Sequence, residues 1–74
     1  MSFNLEKKHI KTRKTIGKAD GHDIDALQTF GGLNIVILNK DKPEIIGAGS
    51  HIAIAKFEAE KKLKGKIKWT DENG

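Results

Sequence analysis

The strongest constraint on the fold is a short apolar run, Leu33 to Leu38 (LNIVIL). Six residues are too few for a typical helix, and the three β-branched residues among them favour a strand. A polar turn at 39–43 and a second extended segment from Glu44 follow, so the sequence predicts a β-hairpin at about 33–48. Because the first strand is apolar at nearly every position, we expect it to lie at the centre of a sheet, buried on both faces.

A short helix is predicted before the hairpin, over residues 22–30 (HDIDALQTF). Ile24 and Leu27 would lie on one face of this helix, and Phe30 can join them. The two glycines that follow Phe30 can end the helix. We therefore expect these three apolar side chains to face the core.

A second helix is predicted over residues 50–64, with Ser50 as its N-cap. The segment is rich in alanine, glutamate and lysine, which are good helix formers. Ile54 and Phe57 lie away from the apolar face of this helix, however, and residues 52–58 also alternate with a period of two. An extension of the hairpin's second strand is therefore left open as an alternative.

The two ends of the chain are less sharply defined. Residues 66–70 (KIKWT) alternate and predict a last strand, whereas residues 4–16 fit a helix and a strand about equally well. We expect a basic N-terminal segment at 1–18 that can be flexible, and a frayed tail at 71–74. Together these elements predict one small α+β domain, residues 1–74, with both helices on one face of the sheet.

The composition excludes several classes of protein. The chain has 74 residues and no cysteine, so disulfide scaffolds, thiol catalysis and cysteine-ligated zinc are ruled out. His9, His22 and His51 match no compact metal-ligand spacing, and neither serine lies in a nucleophile arrangement. We therefore expect no enzyme activity, no catalytic residue, no metal and no cofactor.

The motif Gly47-Ala48-Gly49 lies between a predicted strand and a predicted helix. It resembles the beginning of a Rossmann dinucleotide-binding unit, in which glycines let the backbone approach a pyrophosphate at the helix N-terminus. Ile52 stands where that family has its third glycine, and the chain ends after one more predicted strand. We therefore interpret the glycines as a loosened connection into a capped helix.

The net charge of +4 is unevenly distributed along the chain. Residues 1–18 carry six cations against the single carboxylate of Glu6, while the later segments are nearly balanced. Two further lysines flank the apolar positions of the last predicted strand. The candidate binding residues are therefore Lys7, Lys8, Lys11, Arg13, Lys14, Lys18, Lys66 and Lys68.

Two functions fit these observations. The first is a non-catalytic module that docks on another protein as an adaptor or inhibitor-like accessory protein, through an exposed sheet edge for example. The alternative is nucleic-acid binding through the basic N-terminal segment. Few aromatic residues are present, which makes a base-stacking surface improbable. No apolar run is long enough to span a membrane, so we expect a cytoplasmic protein, and a homo-oligomer is a further option.

Overall fold

A computed structural model of the chain describes residues 10–70. Within that range an antiparallel sheet of five strands packs against a single helix, in agreement with the predicted α+β class. The strands follow the order β4-β3-β2-β1-β5 across the sheet. The elements are β1 (Ile10–Ala19), β2 (His22–Thr29), β3 (Asn34–Leu38), β4 (Glu44–Gly49), α1 (Ile52–Lys62) and β5 (Lys68–Trp69).

The helix predicted at 22–30 is wrong, because these residues form β2, the central strand of the sheet. The segment 24–27 is buried at four consecutive positions, so the chain buries both sides of it and not one helical face. Asp20 and Gly21 both adopt positive φ and form the two-residue turn that pairs β2 with β1. Pairing with β1 and with β3 stabilises residues 22–29 as a strand by more than the local pattern of apolar residues favours a helix. Because β2 takes the middle position, β3 lies next to the centre of the sheet and not at the centre, where the sequence predicts it.

The N-terminal ambiguity is resolved as a strand for the part of the segment that the structure describes. Residues 10–18 belong to β1, which is hydrogen-bonded to β2 and has two irregularities in register, at 10–12 and 15–17. The last strand is shorter than predicted, since β5 spans only Lys68–Trp69. The predictions for residues 1–9 and 71–74 lie outside the described residues.

The helix α1 is shorter than the predicted 50–64 and starts at Ile52. His51, not Ser50, holds the N-cap position, and its side chain makes no capping hydrogen bond. The alternative of an extended strand through 52–58 is not adopted. Because the described residues contain this single helix, the prediction of two helices on one face is also wrong.

Two glycines of β4 allow α1 to lie close to the sheet. A Cβ atom on Gly47 would collide with the carbonyl oxygen of Ala55 and would lie 3.0 Å from the amide nitrogen of Ala59. A Cβ atom on Gly49 would collide with the side chain of Ile54. The glycines therefore serve helix packing from within a strand of an antiparallel sheet, and the resemblance to a dinucleotide-binding turn is not supported by the fold.

Apolar side chains are buried on both faces of the sheet. On the face that carries α1, Ile16, Ile24 and Val36 are fully buried and pack with Ala55 and Ala59 of the helix. On the opposite face, a smaller cluster consists of Leu27, Ile35 and Ile37, with Ile10 and Ile45 packed around it.

The contact at Gly47 predicts that Gly47→Ala destabilises the fold. The added methyl group would meet the backbone of the helix, which cannot move aside as a side chain can. We therefore expect the free energy of unfolding to fall by roughly 1–3 kcal/mol or more, the usual cost of overpacking. Urea unfolding measures this change. Gly31→Ala is the matched control, since its Cβ would come no closer than 3.8 Å to its nearest neighbour. Equal stability of the two variants would contradict the role of Gly47.

Candidate functional site

The structure does not gather the predicted basic residues into one patch. Lys7 and Lys8 lie outside the described residues. Along β1 the side chains alternate between the two faces of the sheet. Lys14 therefore lines a depression beside α1, whereas Arg13 contacts Asp25 on the opposite face. The strand geometry separates side chains that are neighbours in the sequence.

Lys11 is exposed near the start of β1, whereas the other three candidate lysines, Lys18, Lys66 and Lys68, lie near β5 and the end of β1. Lys68 is opposite Lys18 in the register of β5 and β1, and Lys18 lies 3.8 Å from a carboxylate oxygen of Asp23. Lys66 lies beyond the end of β1 and, together with Asp20, lines a small cavity of about 120 Å³. Of these lysines, Lys18 has a carboxylate partner and Lys66 shares a cavity with Asp20, so the positive charge of this edge is partly offset.

Arg13 is held in a polar cluster on the opposite face of the sheet. Its Nε–H donates to Oδ2 of Asp25 at 2.8 Å, and its Nη2 donates to the side-chain oxygen of Asn39 at 3.2 Å. The hydroxyl of Thr15 donates to the other oxygen of Asp25 at 2.9 Å. These contacts give Arg13 a structural role, and it is not free for a ligand.

Asp25 is the one buried charged residue among those that the structure describes. Burial alone would raise the pKa of its carboxyl group. Hydrogen bonds from Arg13, Thr15 and Asn39, together with the positive charge of Arg13, outweigh this effect and hold the pKa below its usual value. The carboxylate is thus ionised at neutral pH and stabilises the pairing of β1 with β2.

Trp69 is also held in place by neighbouring side chains. Its indole N–H donates to Oε2 of Glu60 at 3.2 Å, and Nζ of Lys56 lies 4.9 Å from the ring centroid. The ring packs against the helix-side core over Gly17 of β1. Trp69 therefore joins β5 to α1, and its ring is not presented as an open stacking platform.

An open depression of about 320 Å³ lies between α1 and the β1–β2 part of the sheet. Ala26 contributes an apolar side chain, and Ile52 closes one side. Leu27 borders the depression from β2, while its side chain packs in the cluster on the opposite face. The polar side chains around the depression are Thr12, Lys14, Gln28 and Asn34. The depression can therefore accept a mixed polar and apolar group with negative charge near Lys14.

Among residues 10–70, five large apolar side chains are exposed, and the sequence analysis did not assign them to a site. Phe30 is 70% exposed and Phe57 is 59% exposed, so the prediction that Phe30 faces the core is wrong. The five residues are Phe30, Leu33, Ile52, Ile54 and Phe57, which we name the apolar surface.

The β2–β3 turn, which carries Phe30 and Leu33, lies near the start of α1, which carries Ile52 and Ile54. Leu33 precedes Asn34, which is opposite Gly49 in the register of β3 and β4, and Ile54 lies against Gly49. The side-chain amide of Asn34 also donates to the carbonyl oxygen of Ser50 at 3.3 Å. These contacts join the β2–β3 turn to the start of α1.

No helix within residues 10–70 is long and apolar enough to cross a membrane.

The cluster around Asp25 predicts a pH dependence of stability. Because its pKa is lowered by folding, the unfolded chain binds the proton first, and the stabilisation present at neutral pH is lost as the pH falls below about 4. We expect Asp25→Asn to cost about 1–3 kcal/mol at pH 7 and progressively less at lower pH. Urea unfolding from pH 7 to pH 3 measures this, with Asp41→Asn, an exposed turn carboxylate, as the control. A cost independent of pH would contradict the assignment.

Comparison with known proteins adds no relative to this geometry. No protein-family model matches the chain, and neither a curated protein nor a solved structure does. The function must therefore be argued from the surfaces that the fold presents.

Proposed function

We propose that this protein is a non-catalytic module that docks on another protein through the apolar surface, as an adaptor or inhibitor-like accessory protein. The observation that carries the proposal is the exposure of two phenylalanines and three aliphatic residues, located in the β2–β3 turn and on α1. Apolar patches of this kind typically mark interaction sites, and aromatic side chains often dominate the binding energy there.

The fold does not need the side chains of Phe30 and Phe57 for its own packing. The buried residues of α1 are Ala55 and Ala59, and Phe57 lies between them on the outward side of the helix. Phe30 follows the end of β2 in a turn, where a polar residue would serve equally well. Their exposure is therefore better explained by contact with a partner than by the stability of the domain.

Nucleic-acid binding has weaker support as the alternative function. Its support is that Lys11 and Lys14 make no ion pair with any carboxylate in the described range. Against it, Arg13 and Lys18 already have acidic partners, and strand alternation divides the cations between two faces. A continuous positive surface of the kind that follows a phosphate backbone is not formed by these residues.

The docking function predicts that the double variant Phe30→Ser and Phe57→Ser loses its partner without losing its fold. Both side chains are exposed, so we expect the free energy of unfolding to change by no more than about 0.5 kcal/mol for each substitution. Affinity purification from the native cells, followed by cross-linking, measures retention of the partner. Lys64→Ser is the matched control at an exposed position outside the apolar surface.

Two results would contradict this proposal. One is a partner that the double variant retains as well as the wild type does. The other is a concentration-dependent dimer that the double variant abolishes, because the apolar surface would then be covered by a second copy of the chain.

The docking function also predicts no retardation of duplex or single-stranded nucleic acid in a gel-shift assay at low salt. A shift that is lost when Lys11 and Lys14 are replaced by glutamine, with Arg13 kept because it holds Asp25, would instead favour the alternative. Its log-log dependence on salt should then have a slope of about −0.9 for each phosphate contact.

A further inference from the structure

The outer edge of β1 is largely free of strand pairing within residues 10–70. β5 pairs only with Gly17 and Lys18, and Thr70 adds one hydrogen bond from its N–H to the carbonyl oxygen of Ile16 at 2.9 Å. The remaining part, Ile10–Thr15, we name the edge segment. Its residues 11–15 are all exposed. Alternate residues of such an edge present N–H and C=O groups that another strand can pair with.

The charge of β1 limits what can pair with this edge. β1 contains four cations and no carboxylate, and in residues 10–70 neither Lys11 nor Lys14 has an acidic partner. Lysine on an edge strand opposes pairing between two copies of the same chain, because like charges would face each other. The same charge favours an acidic strand.

We propose that the edge segment binds an extended acidic segment of another protein, which adds to β1 as a further strand of the sheet. Main-chain hydrogen bonds to the edge segment would provide affinity, and the side chains would provide selectivity. Alternate side chains of the added strand would lie on the same face as Lys14 and reach the depression closed by Ile52. A carboxylate beside Lys14 and an apolar group beside Ile52 fit this lining.

This inference goes beyond the proposed function, because it concerns a different surface and a different mode of recognition. The two surfaces meet at Ile52, which borders the depression and belongs to the apolar surface. Phe30 and Phe57 do not line the depression. Substitutions at these two residues therefore test the apolar surface separately from the edge segment.

The test uses the full chain and a fluorescein-labelled octapeptide of alternating Glu and Val. Fluorescence anisotropy at low salt should show saturable binding, and an octapeptide of alternating Lys and Val should not bind. Two further peptides carry N-methyl groups on the odd or on the even residues, since each set removes the N–H groups of one edge of the peptide. We expect one of these peptides to bind at least tenfold more weakly and the other to bind as the parent does.

Variants of the protein locate the site. The double variant Lys11→Glu and Lys14→Glu should weaken binding of the acidic peptide at least tenfold, while Phe30→Ser with Phe57→Ser should leave it unchanged. Amide hydrogen exchange in residues 10–15 should slow when the peptide binds. Circular dichroism of each variant checks that a loss of binding is not a loss of the fold.

Three results would overturn the inference. The first is no binding of the acidic peptide, and the second is equal binding of both N-methylated peptides, which would show attraction by charge alone. The third concerns Asp71 and Glu72, which follow Thr70 in the sequence. If the peptide binds only to the double variant Asp71→Asn and Glu72→Gln, the chain's own carboxylates compete with the peptide for the edge segment. The edge segment would then be a site for these residues and not for a partner.

Discussion

The close contact between β4 and α1 is the interaction on which the rest of the structure depends. Gly47 and Gly49 remove the side chains that would hold the helix away, and Ala55 and Ala59 offer the smallest helical surface in return. The helix therefore lies directly on β4 and β3, and its larger side chains are left at its flanks and on its outer side. The same contact that completes the core also leaves Phe57 exposed and the depression beside β1 open.

The sequence predicts the elements whose signals are local, and it fails where pairing across the sheet decides. The run at 33–38 and the alanine-rich segment after Ser50 carry enough information in themselves to indicate a strand and a helix. Residues 22–29 carry a helical spacing of apolar residues, but their partners lie in β1 and β3. Burial on both faces and two hydrogen-bonded neighbours stabilise the strand by more than local propensity favours a helix.

The candidate site shows a similar division. Charge clustering in the sequence locates β1 as a basic element but cannot show that strand alternation sends Arg13 and Lys14 to opposite faces. The apolar surface had a signal, because Ile54 and Phe57 are off the predicted buried face of the helix. Phe30 gave no such signal, since its exposure follows from the replacement of the predicted helix by a strand that ends at Thr29.

The strand order has a consequence for how firmly each part of the domain is held. β1 to β4 are neighbours in sequence and in space, so each pairing forms between segments joined by a short turn. β5 is different, because its two residues must return from the far end of the described chain to pair with β1. Short pairings of this kind open at a lower free energy than the central strands do. The exposed edge of β1 ends at Thr15 while β5 is paired. Transient release of β5 would extend this exposed edge as far as Lys18 without unfolding the rest of the domain.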